Sequence, residues 1–107
     1  RIVEATKMFG SEEYFLLETA AALGVYVSDT EWVLATKSTS KEKRFYVTTE
    51  LQRHRLFVKW KNQRGWTFSH PAIPGLVLQN ARKNNRYHQA HLYAAEGVQK
   101  AARPKSF

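Results

Sequence analysis

The chain has no cysteine, and past position 50 it has a single acid, Glu96. The first absence excludes disulfides, thiolate metal sites and thiol nucleophiles. It leaves His54, His70, His88 and His91 as the transition-metal-type ligands; His88 and His91 share a helical face, but no carboxylate set completes a site. The expectation is no metal and no cofactor. The second absence removes the converging carboxylates that acid–base catalysis uses. No G-x-S-x-G, P-loop or G-x-G-x-x-G pattern occurs, so a non-catalytic role is expected. No apolar run approaches the roughly 20 residues of a membrane span. The first residue is arginine, which reads as a processed chain or an excised domain, with an intracellular, nuclear or organellar location open.

What is abundant is positive charge, unevenly placed. The net charge is +8: residues 1–50 hold six Lys or Arg against eight acids, and residues 51–107 hold eleven against one. Segregation of this kind points to an acidic partner. The 107 residues suit one domain, 1–107, with 104–107 as a flexible end, and 14 aromatics are enough to fill one core.

The stretch RHRLFVKWKNQRGWTFS, residues 53–69, dominates the reading. As a strand over 55–61 it alternates, with Leu56, Val58 and Trp60 inward and Arg55, Phe57, Lys59 and Lys61 outward. Asn62-Gln63-Arg64-Gly65 reads as a hairpin loop with Gly65 free to take a positive φ, and Trp66 and Phe68 return on the second strand. Residues 44–48 read as a further strand, Phe45 and Val47 inward, Arg44, Tyr46 and Thr48 outward.

Earlier in the chain, Ser11 as N-cap, Glu12 and Glu13 in the first turn, and Gly24 at the end predict a helix with Tyr14, Leu17 and Ala21 on its buried stripe. Residues 25–36 favour strand by composition, although Ser28-Asp29-Thr30-Glu31 has the form of a capping box. Read as helices, Glu18 to Leu34, with Ala20 inside, Gly24 in the turn and Val33 on the core, resembles the DNA-binding helix-turn-helix family. That resemblance implies a recognition helix over 29–37 and a wing over 41–61. Residues 37–43 read as a mobile polar loop. Pro71 and Pro74 break regular structure, with Pro74 as the first residue of the next helix. Helices follow near 75–83 and 86–102, separated at Asn84-Asn85.

The expectation is therefore a small α+β domain. An antiparallel sheet of three to four strands carries the N-terminal helix, with a basic C-terminal helical segment beside it. The partner expected is nucleic acid, RNA or single-stranded DNA ahead of duplex, as in a ribonucleoprotein subunit. Phosphate contacts fall to Arg44, Arg53, Arg55, Lys59, Lys61, Arg64, Arg82, Lys83 and Arg86, and stacking to Tyr46, Phe57 and Trp66. The alternatives are a winged-helix sequence-specific DNA-binding domain, and a subunit docking an acidic protein, with the C-terminal helix also open to a protein partner.

Overall fold

The computed structural model describes residues 2–59 and 64–102. It is a mixed α+β fold of six helices and one three-stranded antiparallel sheet: α1 (Ile2–Ala5), α2 (Ser11–Leu23), β1 (Tyr26–Ser28), α3 (Asp29–Ala35), α4 (Lys41–Arg53), β2 (Phe57–Lys59), β3 (Gly65–Phe68), α5 (Ala72–Lys83) and α6 (Tyr87–Ala102). The strand order is β1-β3-β2. The expected end at 104–107 lies outside the described residues, as do Trp60, Lys61, Asn62 and Gln63. No described helix is long and apolar enough to cross a membrane.

Helix α2 is the centre of the core. Its N-cap is Gly10, one residue before the expected Ser11, and the Glu13 carboxylate accepts from the Gly10 N–H at 2.8 Å. Gly24, at φ +120°, ends it in a conformation L side chains rarely adopt. Six consecutive residues, Leu16 to Ala21, are buried, so the helix is enclosed on every side rather than along one stripe. It meets the sheet through β1 and is otherwise covered by α4, α5 and α6.

Two expected strands are helices instead. Ser28 accepts from the Glu31 N–H at 3.4 Å and starts α3 directly after β1; Trp32 and Ala35 then fall on one buried side. Ser40 accepts from the Lys43 N–H at 3.1 Å and starts α4 within the segment read as a loop and strand. Val47 and Leu51, four apart, bury its inner face, so Phe45 lies outside at 72% exposure. In both helices a serine cap outweighs the strand propensity of the residues that follow.

The β2–β3 hairpin exists, but within β2 Phe57 and Val58 exchange the faces expected of them. Arg55 takes φ 59° and the Leu56 N–H donates to Leu51 O at 2.7 Å, which turns the chain before the strand starts. Leu56 and Phe57 are both buried, while Val58 faces out. Pairing of Phe57 with Phe68, Lys59 with Trp66 and Val27 with Trp66 sets one face of the sheet inward. On it, Trp66 sits edge-on to Phe57, Phe68 and Trp32, ring centroids 4.9, 5.0 and 5.5 Å away. Gly65 is needed for space rather than for φ: a Cβ there would stand 2.6 Å from both Tyr26 Oη and Val27 O.

Helix α5 begins earlier than expected. Pro71 is its N-cap and Pro74 lies in its first turn, where backbone N–H groups have no helical acceptor in any case. His70 Nδ1 accepts from the Ala72 N–H at 3.0 Å. The break at Asn84-Asn85 is present, Asn85 taking φ 60°, and α6 follows. Its small residues Ala90, Ala94 and Gly97 are buried and let α6 lie close along α3. A Cβ on Gly97 would come within 2.5 Å of Glu31 O and 2.6 Å of Ala35 Cβ.

Candidate nucleic-acid interface

With Val47 and Leu51 fixed against the core, the opposite side of α4 presents Lys41, Phe45, Thr49 and Gln52 as one exposed row, spaced by fours and threes. The row forms one wall of a groove of about 400 Å³. Its other wall is Lys59 on the hairpin with Asp29 and Val33 of α3, and its floor is Trp32, Phe57 and Trp66. Trp66 is 1% exposed, and its indole N–H has no hydrogen-bond partner among the described residues.

The residues expected to bind are split among three places. At the groove, Lys59 Nζ lies 2.8 Å from Asp29 Oδ2. Arg64 is exposed where the hairpin returns, and its carbonyl accepts from the Asp29 N–H at 3.0 Å. Arg44 is half-buried and spent on the protein: Nη1 donates to Thr36 O at 3.1 Å and to Thr39 O at 3.4 Å, closing the end of α3. Arg53, at the end of α4, pairs with Glu50 at 3.3 Å. Arg55 is exposed at the turn into β2.

Tyr46 faces away from the groove, its ring 6.0 Å from that of Phe9. Arg82, Lys83 and Arg86 form a second group at the α5–α6 corner. Arg82 stacks 4.3 Å over Tyr87, Lys83 is exposed, and Arg86 grips Glu18 with bonds of 2.9 and 2.8 Å. That pair holds the Arg86 guanidinium above its ordinary pKa. Lys61 lies outside the described residues.

One expectation is therefore corrected. Phe57 and Trp66 are core rings, not rings offered to solvent. Three cations of the second half, Arg53, Lys59 and Arg86, each pair with an acid of the first half. The exposed row on α4 was missed in the sequence. Its signal was present: a serine at position 40, then Val47 and Leu51 at helical spacing.

Among the described residues no group of three or more His, Asp or Glu is placed to hold a metal ion. In comparisons with protein families, curated proteins and solved structures, nothing matches this chain.

Proposed function

We propose that this domain binds duplex DNA as a winged helix, with α4 in the major groove and the β2–β3 hairpin along the backbone beside it. One observation carries the reading: α4 presents a solvent-facing row of side chains next to an antiparallel hairpin, behind a short preceding helix. The order helix, strand, helix, helix, strand, strand, with sheet order β1-β3-β2, is that of winged-helix domains. Both working parts lie one element later than the sequence suggests, α4 in place of 29–37 and β2–β3 in place of 41–61. Net charge favours a polyanion, and the loop sequence Lys59 to Arg64 concentrates cations at the hairpin. Single-strand binding by stacking would draw on rings of the open sheet face; Phe57 and Trp66 are spent on the core, which leaves Tyr26 there.

The test is fluorescence anisotropy on matched duplex DNA, single-stranded DNA and RNA at two salt concentrations. Duplex should bind tightest, with log K falling against log salt at a slope of about −4, the release expected for roughly four to five phosphates. Tighter binding of single strands, or a flat salt response, would reject the proposal.

A further inference from the structure

From the chemistry of the α4 row, resting on the duplex reading above, we infer that this helix reads A·T base pairs, with Phe45 against a thymine methyl and Gln52 on an adenine edge. Guanine is read most often by Arg, or by Lys, paired to its O6 and N7. Of the two arginines of α4, Arg44 is spent on the carbonyls of Thr36 and Thr39, and Arg53, the last residue of the helix beside Glu50, is not among the groove-lining residues. The Thr48 hydroxyl is also committed, donating to Arg44 O and Phe45 O at 3.2 and 3.1 Å.

Along the groove the row offers Lys41 at its start, then an aromatic ring at 72% exposure, Thr49 and a carboxamide. A carboxamide both donates and accepts, which matches adenine N6 and N7; an apolar group matches the thymine methyl. Lys41, one turn before Phe45, and Lys59 across the groove flank the row where phosphates run. Seven residues of helix separate Phe45 from Gln52, about 10 Å or roughly three base-pair steps. The two contacts fall within one major-groove segment.

The experiment selects sites from a random duplex pool, then replaces single thymines by uracil, which removes only the methyl. For the wild-type domain, the swap at one position should weaken binding about fourfold, the worth of one buried methyl. Phe45→Ala should lose a similar factor on thymine DNA and become indifferent to uracil; Phe45→Leu, keeping an apolar contact, should keep the discrimination. Gln52→Ala should lose about tenfold and accept other bases at one position about three pairs away. Because both side chains are exposed, the variants should melt with the wild type, which separates lost contact from lost fold. Tight duplex binding with a G·C-rich selected site, or Phe45→Ala that still distinguishes thymine from uracil, would overturn the inference and leave the duplex reading standing. Failure to bind any duplex would remove both.

Discussion

The Arg86 guanidinium closes a two-point ion pair on Glu18, joining the start of α6 to the middle of α2 across 68 positions of sequence. Glu18 is only 2% exposed, so removing its partner strands a carboxylate in the core. Arg86→Ala should lower the unfolding free energy by about 2–3 kcal/mol, at or below the low end of the roughly 3–5 kcal/mol for a fully buried pair, because Arg86 is one-third exposed. Glu18→Leu with Arg86→Met should recover much of that loss, because a buried pair can be exchanged for apolar packing. Urea unfolding of Glu18→Leu, of Arg86→Met and of the double variant gives the coupling directly.

Two glycines in helices should respond in opposite directions. At Gly97 a methyl would push into Glu31 O and Ala35, both within 2.6 Å, so Gly97→Ala should cost about 1–3 kcal/mol by overpacking. At Gly75 a Cβ meets nothing within 4 Å, so Gly75→Ala should gain about 0.5–1 kcal/mol from helix propensity alone. A Gly97→Ala variant that melted at or above the wild type would contradict the close α3–α6 packing.

Lys43 lies 3.0 Å from Glu13 and 3.1 Å from Glu12, tying α4 to the start of α2. Its hydrogen bond holds the Glu13 carboxyl below the ordinary 4.5, and the same contact raises the Lys43 ammonium above 10.5. The carboxylate's contribution to stability is complete above pH 4.5 and disappears as pH falls through the lowered value. The ammonium's contribution is complete below pH 10.5 and disappears as pH rises through the raised value. The stability gap between wild type and Lys43→Met should therefore be level across neutral pH and close towards both extremes. Added salt should narrow it in part, since Lys43 and Glu12 are exposed while Glu13 is largely covered.

Asp29 puts a negative charge in the groove and holds Lys59 at 2.8 Å. Asp29→Asn should raise duplex affinity severalfold at low salt and steepen the salt slope by about one, the value for one additional phosphate contact. The cost to folding should stay near 0.3–1 kcal/mol, the worth of an acid at a helix start. Unchanged affinity in titrations of the variant would place the DNA elsewhere.

The parts of this fold legible in the sequence are those set by local punctuation. Gly24 ends α2, Asn84-Asn85 separates α5 from α6, and the aromatic run around residues 57–68 gives the hairpin. The misread parts are those where propensity and capping disagree. Trp32-Val33-Leu34 and Phe45-Tyr46-Val47 favour strands in isolation, yet each follows a serine that captures the N–H three residues on. The strand phase was hidden because it depends on one backbone angle at Arg55. The charge pattern misled for another reason: Lys59–Asp29 and Arg86–Glu18 join residues 30 and 68 apart, so local counting sees only their surplus.

The close fit of α6 on α3, with α5 and α6 both against α2, makes the helices after the sheet a brace for the elements before it. Shortening the protein after β3 would bare two flanks of α2 and one side of α3. One wall of the groove, α3, is thus held by a helix that lines none of it.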